Sequence, residues 1–181
     1  MDVYPFELTS GPRTKFLLWV NRHDEPDSFF CSTGGRLLLC ASFDDLRHEA
    51  SKIERVAVHF DEGGRLDIAT FWKKLKNLRA GRSASIETCV VLLDGWNLIE
   101  DLARSIDVLG NSFDRSKKKT QMIYEKIVYG CNLPSITPDG RNYTPVLSAT
   151  DITMLRSEVG RLWSAIIGRV PQLKEFSATE S

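Results

Sequence analysis

Between Ser83 or Ser85, either of which can open a helix, and about Leu109 the chain carries apolar residues around so much of a helical circumference that this segment must sit at the centre of the fold. Cys89, Leu92, Trp96, Ile99, Ala103 and Ile106 recur at alternating spacings of three and four, one face of an α-helix. Val91, Leu98 and Leu102 widen that arc, and a helix apolar over most of its circumference is covered on most sides. Gly95 lies inside it. Glycine there costs roughly 1 kcal/mol relative to alanine, so a close approach by a neighbouring element is expected at that point.

Other helices follow from the same periodicity. Ser42 with Asp45 three residues on is a capping-box-like start, and Phe43, Leu46, Ala50 and Ile53 mark one face behind it. Asp67 caps a helix carrying Ile68, Phe71, Trp72, Leu75 and Leu78, with Lys73, Lys74, Lys76 and Arg79 on its polar side. A further helix spans about Arg115–Tyr129 and ends at Gly130; the last, with Ile152, Leu155, Val159, Leu162, Trp163 and Ile166 on one face, stops at Pro171.

The N-terminal part reads as strands: Phe16–Val20, Ser28–Thr33, Arg36–Ala41 and Val56–Phe60. Gly34-Gly35 signals a two-residue hairpin turn that sets Cys31 opposite Leu38 and Cys40 opposite Phe29. A strand–helix–strand crossover makes the fourth strand parallel to the third. The expected fold is α+β: a small N-terminal mixed sheet of about four strands packed with a larger C-terminal helical part, in a single domain over 1–181. Residues 1–15 and 175–181 are expected to be loosely ordered.

With 24 basic and 24 acidic side chains the formal charge is zero, which argues against a dedicated nucleic-acid binder. The charge is uneven, however: residues 1–70 carry 8 Lys/Arg against 12 Asp/Glu. The four cysteines, Cys31, Cys40, Cys89 and Cys131, show no metal-ligand spacing and read as small apolar residues. Asp2, Pro5, Glu7 and Pro12 before a short apolar run do not read as a signal peptide. No apolar run approaches the roughly 18 residues of a membrane span. The expectation is a cytoplasmic protein with no membrane partner, metal or cofactor.

Seven carboxylates form three groups: Asp24, Glu25 and Asp27; Asp44 and Asp45; Asp61 and Glu62. If strands one, three and four point the same way, all three groups leave the same end of the sheet. Such a rim would mimic a polyanion and meet a cationic partner. Trp19, Arg22 and Phe43 neighbour it as anchor residues of the kind that dominate binding energy.

Against this, Asp44 and Asp45 suit any helix N-terminus, and Asp94, Asn97, Asp101 and Arg104 form a polar stripe that either lines a cleft or is architectural, with Asp101–Arg104 a local ion pair and Asn97 bonded to a neighbouring loop. Lys73, Lys74, Lys76, Arg79 and Arg82, with Arg115 and Lys117–Lys119, form basic concentrations without interleaved aromatics, a solubilising face more readily than a nucleic-acid site. His59 and Asp61 share a strand face, the basis of an alternative reading as a small metal-dependent phosphoesterase. No catalytic motif supports that alternative.

Three stretches, LLDGWNLIEDLARSI (Leu92–Ile106), YEKIVYGCNLPSITP (Tyr124–Pro138) and RLLLCASFDDLRHEA (Arg36–Ala50), carry a resemblance to a known class. In them the chain resembles cytoplasmic immunity proteins of contact-dependent growth inhibition and related polymorphic toxin systems. The resemblance implies a non-enzymatic protein that binds one cognate toxin domain, often a nuclease, and blocks its active site or substrate approach. It transfers no binding residue, so the interface has to come from this chain's own charges.

Overall fold

In the computed structural model the described residues are 1–54, 56–107, 118–137 and 141–178. Strand β1 (Asp2–Ser10) pairs antiparallel with β2 (Arg13–Arg22) in unbroken register from Asp2↔Asn21 to Ser10↔Arg13. Gly11, at φ +59°, opens the two-residue turn between them, a conformation L residues rarely adopt. β2 pairs with β3 (Glu25–Phe29), while the far side of β1 pairs in parallel with β6 (Ala57–Val58) and then β7 (Gly64–Asp67).

The N-terminal segment, expected to be loosely ordered, is therefore the central strand of the sheet. Pro5 disguises it, since proline lacks a ladder donor. Pro5 stands at a non-hydrogen-bonding position opposite Leu18, and its other side meets the break between β6 and β7, so no ladder bond is missed. The fourth expected strand pairs in parallel with β1; the segment of the third, bridged antiparallel to β2 at Cys40, runs in the same sense without pairing to it. The partner of the fourth thus lies in a stretch that sequence patterning had not read as a strand.

The hairpin also differs. β4 (Cys31–Ser32) and β5 (Arg36–Leu37) pair Cys31 with Leu37 and Ser32 with Arg36, leaving a three-residue loop at Thr33, Gly34 and Gly35. Gly34 and Gly35 both take positive φ, +105° and +72°, which fixes this loop. Cys40 is bridged to Phe16, not Phe29.

Alternation along β1 and β2 gives the sheet two apolar faces. Leu8, Leu17 and Phe29 meet the main helical core, while Val3, Leu18, Val20 and Cys40 meet Leu46 and Ala50 of α1 (Phe43–Ala50). The main layer comprises α2 (Ile68–Asn77), α3 (Ile86–Ser105), α4 (Lys118–Gly130) and α5 (Ala149–Arg169). α3 touches α2, α4, α5 and β3, the central position its wide apolar arc demands. Caps fall where short side-chain acceptors stand: Ser42, Asp67, Ser85 and Ser148 each accept from a first-turn amide. No described helix is long and apolar enough to cross a membrane.

Glu175 to Ser177, part of the tail expected to fray, are clamped. Pro171–Phe176 forms a 3₁₀ turn whose Leu173 and Phe176 are fully buried, because i and i+3 share a face in that geometry. Trp72 Nε1 donates to the Phe176 carbonyl (2.9 Å) and Trp163 Nε1 to Ser177 Oγ (3.0 Å). Residues 179–181, the expected end of the central helix (108–109), the start of the following one (115–117) and Pro138 lie outside the described residues.

Candidate functional site: an acidic cleft between sheet and α3

β2 runs antiparallel to β1, and β6 parallel to it, so β2 and β6 point in opposite directions. The three acidic groups therefore do not leave one common end of the sheet, contrary to the expectation from sequence. Asp24 occupies the β2–β3 turn and Glu25 opens β3 at one edge; Asp61 and Glu62 occupy the β6–β7 connection at the other. Asp44 and Asp45 begin α1, over the opposite face of the sheet from α2 and α3.

Phe43 is not a free anchor either. It packs between Phe16 and Phe60 at centroid distances of 6.0 and 5.9 Å, with the Arg47 guanidinium over its ring. Arg22 is paired with Glu25 at 2.8 Å.

A different assembly emerges on the α3 side. A cleft of about 700 Å³ lies between the sheet face and α3, within the range of ligand-sized pockets. Phe6, Trp19, Phe29, Leu98 and Tyr124 supply its apolar walls; Asp27, Asp94, Glu100 and Asp101 supply its acids. Two of the expected residues, Trp19 and Asp27, are in this wall, and Asp24, Glu25 and Arg22 flank it at the adjoining turn. Burial raises the pKa of the Tyr4 phenol, with smaller contributions from Asp2 and Glu62. Tyr4 in turn lies 5.5 Å from the Trp19 ring. The close approach of β7 to β1 needs Gly64, since a Cβ there would stand 2.6 Å from the Phe6 ring.

One wall is held by a clasp from the end of α3 to β3. Arg104 Nη1 donates to Asp101 Oδ1 (2.8 Å) and to the Asp27 carbonyl, and Nη2 to Glu100 Oε1 (3.3 Å). Ser105 Oγ accepts from the Phe29 amide at 2.6 Å, and Asn21 Nδ2 donates to Asp27 Oδ1 at 3.0 Å. Across the cleft, the Tyr124 hydroxyl donates to Asn97 Oδ1 at 3.1 Å. The polar stripe on α3 is thus both architecture and cleft lining. The expected Asp101–Arg104 ion pair is present; Asn97 bonds α4, where a loop was expected. Glu100, only 4% exposed, was missed, although its i, i+4 spacing to Arg104 signals the pair.

The electrostatics favour a bound cation. Four carboxylates face two guanidiniums, those of Arg104 and Arg65. Arg104 is committed to the clasp and Arg65 lies 3.6 Å from Glu7. Burial pushes the Asp101 carboxyl up to about 6, against the opposing pull of Arg104. Asp94 reaches solvent at the mouth, yet the protein mass beside it still raises its pKa. Among the described residues no hydrogen bond or ion pair engages Asp94. A carboxylate that is partly desolvated and lacks a cation gains from meeting one.

The alternative metal site is not assembled. His59 Nε2 lies 3.0 Å from Asp2 Oδ1 and its ring stacks on Tyr4 at 5.0 Å; that bond holds the Asp2 carboxyl below its usual range. Among the described residues no three His, Cys, Asp or Glu side chains converge at metal-binding distance. Comparison with family models, with curated proteins and with solved structures finds no match to this chain.

Proposed function

We propose that this protein is a cytoplasmic immunity protein that neutralises a cognate toxin domain by binding it, and that the cleft between the sheet and α3 receives a basic side chain of that toxin. The observation that carries the reading is the cleft's lining: unpartnered Asp94 at its mouth, Asp27 and Asp101 within, and the Trp19 and Tyr124 rings alongside. Carboxylates attract an Arg or Lys from a cationic nuclease surface and speed its encounter. Aromatic faces then hold the desolvated guanidinium or ammonium, an interaction worth about 0.5–2 kcal/mol. The acids at the β2–β3 turn, Asp24 and Glu25, extend the negative field outward from the cleft. The resemblance of Leu92–Ile106 to immunity proteins supports the same reading, and that stretch lines the cleft.

The proposal expects the neighbouring upstream reading frame to encode a large secreted protein with a toxic C-terminal domain, and expression of this protein in cells carrying that domain tests it. The unaltered protein is expected to restore growth and to co-purify with that domain. Asp94→Lys, at a solvent-reaching position, is expected to fold normally and lose protection. Failure of the unaltered protein to co-purify with or protect against the domain would remove the reading.

A further inference from the structure

We infer that a second cleft, between α2 and the start of α3, binds a phosphate-bearing anion. This cleft encloses about 610 Å³, and among the described residues it is lined by Lys73, Lys74, Arg79 and Arg82 against the single carboxylate of Glu87. Four cations against one anion leave it at net +3. Lys74 is held by Glu87 at 2.9 Å, and Arg79 Nη1 rests on the carbonyls of Lys76 and Leu78. Lys73 and Arg82 have no acidic partner among the described residues, and neither the Asn77 amide nor the Ser83 hydroxyl forms a side-chain hydrogen bond there. Like charges gathered around one concavity repel, and an anion placed between them relieves that repulsion.

The walls are set before any ligand arrives. Gly81 N donates to the Leu147 carbonyl (3.1 Å) and Ala84 N to the Pro145 carbonyl (2.9 Å), with Ser83 bridged to Val146. The connection that carries Arg79, Arg82 and Ser83 is thereby pinned against residues 145–147, so little ordering is needed on binding. Donors converge from two directions, α2 and this connection, and α3 begins at Ile86 beside them, adding the positive potential of its first turn. Several separated donors suit a group with three or more charged oxygens, and Arg82 can engage two of them at once. Among the described residues no aromatic ring lines the cleft, so none of them stacks a base and recognition stops at phosphate. The cleft lies at the opposite end of α3 from Asp101, and the inference is independent of the toxin-binding proposal.

Two probes separate the sources of such phosphate: inorganic pyrophosphate, and an oligouridylate RNA of about 12 nucleotides. Each is titrated into the full chain at about 50 mM salt, by calorimetry and fluorescence anisotropy respectively. At least one is expected to bind saturably, and the exposed pair Lys73→Gln with Arg82→Gln is expected to weaken that binding about tenfold or more with an unchanged melting temperature. Arg36→Gln with Lys52→Gln, which removes as much charge elsewhere, is expected to change it less than about threefold. If RNA is the ligand, the slope of log affinity against log salt falls by about 1.4 in the first pair, about 0.7 per lost contact to a single strand. Pyrophosphate binding alone assigns the site to free polyphosphates. Absence of saturable binding by both probes, or equal weakening in both pairs, overturns the inference.

Discussion

Gly95→Ala tests the packing that builds the acidic cleft's central helix. In an isolated helix this change stabilises by about 1 kcal/mol. Here a Cβ at position 95 would stand 2.1, 2.5 and 2.5 Å from three carbons of the Phe71 ring. Comfortable carbon–carbon contact lies near 3.5–4.0 Å, so the ring must retreat by roughly 1.5 Å. It has little room: Phe71 is fully buried, with the Trp72 ring 4.9 Å away. Forcing an extra methyl into such a core costs about 1–3 kcal/mol, and this contact belongs at the upper end. The expected net effect is a loss of about 1–2 kcal/mol despite the better propensity. Urea unfolding monitored by circular dichroism measures it, with an unchanged m-value as the sign that only stability moved. Phe71→Leu, added to Gly95→Ala, should recover part of the loss and give a coupling of about 1 kcal/mol or more in the double-mutant cycle. A more stable Gly95→Ala variant, or additive effects in the cycle, would refute the assignment of Gly95 to the α2–α3 approach.

Other expectations follow from the same contacts. Burial raises the Asp101 carboxyl from 3.8 to about 6 in the fold, so the folded state binds the extra proton between those values. Its contribution is therefore fully present below about pH 3.8 and is lost as pH rises through about 6. Asp101→Asn should flatten that part of a stability–pH curve; an unchanged curve would argue against the burial. Phe176→Ala should cost about 3–5 kcal/mol, measured by chemical denaturation, because the ring is fully buried; a loss below about 1 kcal/mol would mean the C-terminal turn is not docked. Cys40, Cys89 and Cys131 are buried and Cys31 half-buried, and burial pushes the Cys89 thiol up to about 11. A disulfide reagent should then modify at most one thiol, Cys31, in the native protein at neutral pH, and all four once denatured; rapid native loss of two or more would contradict the burial.

Local signals were legible and long-range pairing was not. The caps at Ser42 and Asp67, and the central place of α3, depend on residues within a few positions of one another, so their spacing reveals them; spacing alone left the α3 cap between Ser83 and Ser85. β1 was hidden because Pro5 and Pro12 mimic a loop, and only partners more than 50 residues away, Ala57–Val58 and Gly64–Asp67, show why Pro5 is tolerated. Once β1 was missed, the strand directions were wrong, and with them the common acidic rim. The cleft itself draws on Phe6, Trp19, Asp27, Arg65, Asp94 and Tyr124. Six elements supply these side chains, and no single segment displays the site. Its α3 edge was visible in advance, as the stripe Asp94, Asn97, Asp101 and Arg104, with Gly95 marking the close approach beside it, and Trp19 and Asp27 were expected at an interface, though on a rim that the strand directions do not form.

The claim that a cationic group of a protein partner enters the sheet–α3 cleft is tested most directly by calorimetry of the purified toxin domain against three proteins: the unaltered chain, Asp94→Lys and Asp44→Lys. Asp94→Lys should weaken binding by about 30-fold or more, the loss of about 2 kcal/mol typical of a desolvated charge pair. Asp44→Lys, on the opposite face of the sheet, should change it by less than about threefold. Equal affinity of Asp94→Lys and the unaltered chain, or a larger loss at Asp44 than at Asp94, would contradict the account.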